Sequence, residues 1–229
     1  MEAIILAGGR GKRLKQVTDY VPKSLIPLNN IPIIEWQIRY LKKFGINKII
    51  ICTGYKTEQI ENYLNIKNNF GIKIQFSKEK SPLGTGGAIK QAMKLLNENS
   101  FFIINGDVIT NIDLRKLKHK QNSIAAIPLK TQFGVLSIDD DKIIKFSEKK
   151  EIPDLWMNAG IYFLSKNIMA DLPRIGDLEK TIFPLYAKKG KLSFVKFLNT
   201  LWHSIDSYKD MEECSAEIIS KKYIKFVSK

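Results

Sequence analysis

Three glycines and three cations fill six consecutive positions, Gly8-Gly9-Arg10-Gly11-Lys12-Arg13, directly after the apolar run Glu2 to Leu6. Glycine lets backbone amides approach an anion closely, and the cations that follow neutralise it, so the stretch suits a phosphate group. Two common phosphate loops do not fit. A Walker A loop follows Gly-Lys with Ser or Thr, and here Arg13 follows Lys12; the dinucleotide fingerprint places a third glycine where Leu14 stands.

Two further stretches sit at strand-to-helix or strand-to-turn junctions. In Ser81-Pro82-Leu83-Gly84-Thr85-Gly86-Gly87-Ala88 the glycines allow a flat base to lie against backbone; a plain helix N-terminus with Thr85 as cap is compatible with the same role. Asn105-Gly106-Asp107 ends an apolar strand, and open α/β sheets place ligands at the carboxyl ends of their strands. An aspartate there is positioned to hold Mg²⁺. Asp206, in Trp202-His203-Ser204-Ile205-Asp206-Ser207, is placed to cap the last helix. His119 and His203 have no partner at a spacing that suggests a triad or metal site, and Cys52 and Cys214 lie outside any metal-binding spacing.

The elements that must position these residues follow from periodicity. Glu2 to Leu6 and Ile46 to Thr53 are continuous apolar runs of the kind buried on both faces of a parallel sheet. Between them Ile34, Ile38, Leu41 and Phe44 mark one apolar face of a helix over 32–44, stopped at Gly45. Helices over 56–64 and 85–96 then alternate with strands over 72–76 and 101–104. After Asp107 strands predominate, over 124–129, 134–138, 143–146 and 159–164, and are expected to form a mixed sheet covering the mouth of the first half. A helix over 178–188, a strand over 193–197 and a helix over 208–220 complete the chain. The pattern predicts an α/β fold, a Rossmann-like doubly wound mixed sheet in three α/β/α layers.

The chain has 229 residues, 37 lysines and arginines against 23 acids, and a net charge of +14. Lysines are scattered, and arginine occurs only at positions 10, 13, 39, 115 and 174, so the charge reads as a solvated surface that attracts anionic nucleotides, with no nucleic-acid partner expected. The basic tail around Lys221, Lys222, Lys225 and Lys229 alternates with Tyr223, Ile224, Phe226 and Val227 and reads as a packing strand or helix end. No apolar run reaches the roughly 20 residues of a membrane span, and no signal segment leads the chain, so a cytoplasmic protein is expected.

The first loop, with Pro22-Lys23-Ser24-Leu25 downstream, resembles the signature of the sugar-1-phosphate nucleotidyltransferases, Leu-Ala-Gly-Gly-x-Gly-Thr-Arg-Leu followed by Pro-Lys. The chain departs from it at Lys12, where threonine is usual, and at Ser24, often proline. The resemblance implies that Leu6, Ala7, Gly8, Gly9, Gly11, Lys12, Arg13, Pro82, Gly84, Thr85, Gly86 and Asp107 bind a nucleoside triphosphate. It implies catalytic roles for Arg13, Lys23, Asp107 and Lys149, with Arg13 on the leaving pyrophosphate, and, through the likeness of Trp202 to Ser207 to the family's C-terminal motif, Asp206 beside Asp107 as the second metal ligand in place of the capping role. Phe133-Gly134-Val135, Ser147-Glu148-Lys149 and Asn158-Ala159-Gly160 are similar to the family's sugar-binding segments, which assigns Gly134, Glu148, Lys149, Asn158 and Gly160 to the sugar phosphate.

The implied organisation is one domain over 1–229: a nucleotide-binding half (1–110), a sugar-binding half (111–220) and the basic tail (221–229). No second catalytic or regulatory domain is expected. The implied reaction joins a nucleoside triphosphate to a sugar 1-phosphate, with Mg²⁺ as cofactor, and leaves homo-oligomerisation open. The Gly84 to Gly87 loop is most like that of guanylyltransferases acting on mannose- or heptose-type phosphates, while the Trp202 to Asp206 spacing is more like that of cytidylyltransferases, so CTP or UTP stays open. The alternatives are a cytidylyltransferase for a non-sugar phosphate such as phosphocholine, a catalytically silent nucleotide-binding regulator, and a basic nucleic-acid-binding module.

Overall fold

A computed structural model describes residues 1–131, 133–148, 151–220 and 223–227. β1 (Glu2–Leu6) is followed by α1 (Lys15–Tyr20), the small pair β2 (Pro27–Leu28) and β3 (Ile31–Pro32), α2 (Ile33–Lys43) and β4 (Lys48–Thr53). Next come α3 (Thr57–Ile66), β5 (Lys73–Lys78), α4 (Gly84–Ala92), β6 (Ser100–Asn105), β7 (Val108–Thr110) and α5 (Leu114–Leu117). The second half holds β8 (Ser123–Lys130), β9 (Val135–Asp139), β10 (Lys142–Ser147), β11 (Glu151–Ser165), α6 (Leu178–Lys188) and β12 (Ser193–Lys196). β13 (Trp202–Ser204), α7 (Tyr208–Ser220) and α8 (Tyr223–Val227) close it.

Seven strands form one mixed sheet in the order β12-β8-β11-β6-β1-β4-β5. β6, β1, β4 and β5 are parallel, with Leu6 opposite both Cys52 and Asn105. β11 runs antiparallel to β6 and β8, and β12 is parallel to β8. Alternate residues enter opposite cores: Ala3 and Ile5 against Ile4, Ile49 and Ile51 against Ile50 and Cys52. With both faces covered, every position must be apolar, which explains the unbroken run of isoleucines. α2, α3, α7 and α8 cover one face and α4 and α6 the other, the expected three layers.

From β1 the chain crosses to β4 on one side, and β6 returns to the other side of β1. The crevice beyond the carboxyl ends of β1 and β6 is therefore a topological switch point, the favoured ligand position in such sheets.

The second half departs from expectation. β8, β11 and β12 extend the first-half sheet instead of forming a cover over it, while β9 and β10 stand apart as a separate antiparallel pair. β11 is far longer than the expected 159–164 strand. Asp154 takes a left-handed conformation (φ 61°) inside the strand, where the register with β8 shifts. The tail resolves to its helical alternative: Tyr223 is buried, donates from its hydroxyl to the Thr110 carbonyl at 2.7 Å, and its ring lies 5.6 Å from that of Trp36.

Candidate active site

The glycine loop leaves the end of β1, where the Ala7 N–H donates to the Cys52 carbonyl at 2.9 Å. Gly11 has φ of +67°, a conformation that side chains with a Cβ rarely adopt, and its carbonyl accepts from the Thr18 hydroxyl at 3.2 Å. Lys12–Leu14 then makes a 3₁₀ turn that carries Arg13 into the opening.

Asp107 follows β6 in a turn held from two sides. Gly106 donates to the Leu6 carbonyl, and a Cβ there would stand 2.3 Å from that oxygen, so the two strand ends meet this closely only because the residue is glycine. Below, the buried Gln37 of α2 donates through Nε2 to the carbonyls of Asn105 (2.8 Å) and Val108 (2.9 Å). Asp206 reaches the same place through the ladder of β13 on β7, which sets Ser204 opposite Val108, and the Ile205 N–H donates to the Asp107 carbonyl at 3.0 Å.

Lys23 joins the two acids. Its ammonium lies 2.7 Å from Asp107 Oδ2 and 2.7 Å from Asp206 Oδ1, and is 13% exposed. Arg13 reaches Asp206 Oδ1 at 2.9 Å. Helix capping, the alternative role for Asp206, is filled by its neighbours: Ser207 Oγ accepts from the Asp210 N–H, and Asp210 Oδ2 accepts from the Asp206 and Ser207 N–H groups. The Asp206 carboxylate is left facing the cleft.

These groups line one cavity of about 240 Å³ together with Leu6, Ala7, Gly9, Gly11, Lys12, Ser24 and Gly106. Ser24 is 2% exposed, and its hydroxyl has no partner among the described residues. The cleft thus offers backbone amides and cations for a polyphosphate on one side and two carboxylates, held by one ammonium, on the other.

A model of the family described as Nucleotidyl transferase matches residues 2–221. The chain belongs to this family. It is 40% identical over 205 residues to the D-glycero-alpha-D-manno-heptose 1-phosphate guanylyltransferase of Campylobacter jejuni, covering 86% of this chain and 85% of that protein. It is 34% identical to the mannose-1-phosphate guanylyltransferase catalytic subunit beta of Xenopus tropicalis, covering 92% of this chain but 62% of that longer protein. Among solved structures, HddC from Yersinia pseudotuberculosis complexed with GMP-PN superposes with a TM-score of 0.74 at 29% identity, covering 95% of this chain and 99% of that one.

In this nucleotidyl transferase the second glycine-rich stretch opens α4, but Thr85 does not cap its own helix. Its hydroxyl accepts from the Leu178 N–H at 2.8 Å, at the start of α6, and donates to Glu179 Oε2 at 2.6 Å. The segment is pinned to α6 because the α4 glycines abut the Arg174 to Gly176 backbone, and Gly86 donates to the Gly176 carbonyl. Pro82 is exposed at the rim.

Two carboxylates that the sequence did not single out stand here. Glu79, beyond the end of β5, lies against Gly8 and accepts from the Leu83 N–H at 2.9 Å. Burial raises its carboxyl above the ordinary value, opposed by that amide. Glu179 joins the Thr85 loop to β11: it accepts from Tyr162 at 3.2 Å, and the Tyr162 hydroxyl accepts from Asn158 Nδ2 at 2.9 Å. Burial, with the nearby Glu179 charge, pushes the Tyr162 phenol up, so it remains a donor.

Asn158 Oδ1 also accepts from Gly160, and Gly160 lies against the Asn105 side chain, so this segment adjoins the Asp107 turn. Gly134 and Glu148 meet at the base of the β9–β10 pair and share no hydrogen bond with Lys23, Asp107 or Asp206 among the described residues. Lys149, expected on the sugar phosphate, lies outside the described residues. His203 contacts Glu217 away from these groups. No helix among the described residues is long and apolar enough to cross a membrane.

Proposed function

We propose that this chain transfers a guanylyl group from GTP to a heptose- or mannose-type 1-phosphate, giving a nucleotide sugar and pyrophosphate. The observation that carries the reading is the placement of Lys23 between Asp107 and Asp206, below a glycine loop at the switch point of the sheet. The sugar phosphate is already an anion at neutral pH, so its oxygen bonds to the α-phosphorus in line as the bond to the β-phosphate oxygen breaks. The protein's task is alignment and neutralisation of charge, with no covalent intermediate. Arg13 and the loop amides orient the β- and γ-phosphates that leave. Lys23 holds the α-phosphate once it turns from the carboxylates.

Two aspartates bridged by a cation fit Mg²⁺, which is bound by one or two carboxylates with substrate phosphates completing the shell. Asp107 and Asp206 would hold it. Bound there, the ion would neutralise charge on the α-phosphate oxygens.

Glu79 supports a guanine base. One of its oxygens accepts from the Leu83 N–H, and a carboxylate can accept further donors; guanine presents adjacent N–H donors on its Watson–Crick edge, whereas uracil presents one flanked by carbonyls. The guanylyltransferase relatives support the same choice. The Trp202 to Asp206 spacing, which resembles that of cytidylyltransferases, runs through the β13 ladder that brings Asp206 to the Asp107 turn.

The test is pyrophosphate release with Mg²⁺, crossing the four nucleoside triphosphates with heptose, mannose and glucose 1-phosphates and phosphocholine. GTP with a heptose or mannose phosphate is the expected pair, and Asp107→Asn should abolish turnover while the melting temperature is retained. Release from CTP and phosphocholine alone, or full activity of Asp107→Asn, overturns the reading.

A further inference from the structure

The β9–β10 pair has one face that nothing covers among the described residues. Ile143 pairs with Ile138, and Phe146 with Leu136, across the two strands, so the four side chains share a face. They are 60%, 65%, 65% and 43% exposed respectively. The opposite face pairs Lys145 with Ser137 and Lys142 with Asp139. The hairpin is therefore amphipathic with its apolar side in water, the reverse of what a strand pair on a solvated surface needs. Among the described residues it hydrogen-bonds to no other strand, and an isolated two-stranded hairpin is marginal in water.

We propose that a second copy of this chain covers this face, hairpin against hairpin, about a two-fold axis. The exposed part of these four side chains, with Ile144 and Phe133 beside them (66% and 79% exposed), comes to several hundred Å². Taken from both copies, that approaches the roughly 1,200 Å² at which specific dimers begin. A sugar or nucleotide is too small and too polar to cover it. The face itself carries no charge, which matters for a chain of net charge +14 meeting its own copy. The hairpin tip holds Asp139-Asp140-Asp141, the chain's one run of three acids. A two-fold that runs the hairpins in opposite directions would carry each acidic tip toward the other copy, whose net charge is +14, so that attraction replaces repulsion at the rim.

Sedimentation velocity of the full chain over a wide concentration range tests this, with Ile138→Lys and Ile143→Ser as the variants. Both positions are exposed, so circular-dichroism melting of each should match the unmodified protein. The unmodified chain should be a dimer. Ile138→Lys should weaken it by at least about tenfold, because symmetry buries each new charge twice. Ile143→Ser should weaken it less. Hydrogen exchange of amides in β9 and β10 should slow only at concentrations where the dimer forms. A monomer at every concentration overturns the proposal. So does a dimer indifferent to both variants, and so does hairpin protection independent of concentration, which would mean that the face closes on its own chain.

Discussion

Replacing Lys23 with methionine keeps the stem and removes the ammonium between Asp107 and Asp206. The two carboxylate oxygens each lie 2.7 Å from the same nitrogen, so they stand at most twice that far apart. At ~5 Å and an effective dielectric of ~20 their repulsion is about 3 kcal/mol. The side chains are 27% and 24% exposed, and water and salt reduce the figure to roughly 1–2 kcal/mol. In a chelating buffer Lys23→Met should therefore melt roughly 2–8 °C lower than the unmodified chain. Magnesium should reverse the loss, because the carboxylate pair, left with only the exposed Arg13 on Asp206, now wants a cation, and apparent affinity for the free ion should rise roughly 5- to 30-fold. The assay is thermal unfolding without nucleotide, with EDTA and then with rising Mg²⁺, both proteins side by side. Catalysis should be lost at every Mg²⁺ concentration, since the proposed reaction also needs the ammonium on the phosphate. A variant that melts like the unmodified protein in EDTA and ignores Mg²⁺ would refute the reasoning, because the two acids would then not form a cation site.

Glu79→Gln should raise the KM for GTP roughly tenfold or more with little change for other triphosphates, since a bidentate contact to a base discriminates by about 1–3 kcal/mol. Because burial holds the Glu79 carboxyl above the ordinary 4.5, it takes up its proton at a higher pH than a free glutamate. Acidification should therefore weaken GTP binding before other carboxylates titrate, and Glu79→Gln should flatten that part of the kcat/KM profile; an unchanged profile removes Glu79 from the base site. Gln37→Leu takes away the two donors that hold the Asp107 turn, and should cost about 2 kcal/mol in denaturant unfolding along with a fall in kcat. Loss of stability with kcat intact would show that the turn holds its geometry alone.

The features legible in the sequence were those written in consecutive residues. Gly8 to Arg13 and Asn105 to Asp107 each follow a strand, and the strand end itself delivers them to the crevice, so local reading places them. Glu79 and Glu179 gave no signal because each is a single acid among ordinary neighbours, and only tertiary packing brings one against Gly8 and the other between Thr85 and Tyr162. β7 and β13 were missed for a related reason: three residues carry too little periodicity to declare a strand, and each exists by pairing with the other. The first half of β11 went unread because Asp154 makes a left-handed irregularity inside it, which breaks the alternation that marks a strand.

The three-residue ladder of β13 on β7 also sets a schedule. Asp206 is synthesised about a hundred residues after Asp107, some 5–20 s later at ordinary translation rates. Until then the emerging chain has its phosphate loop, Lys23 and one carboxylate, but not the partner strand that places the other. On the proposed mechanism, turnover should be withheld from nascent and C-terminally clipped chains, and appearance of activity during refolding should follow docking of the last quarter of the polypeptide, whatever the speed at which the parallel sheet collapses.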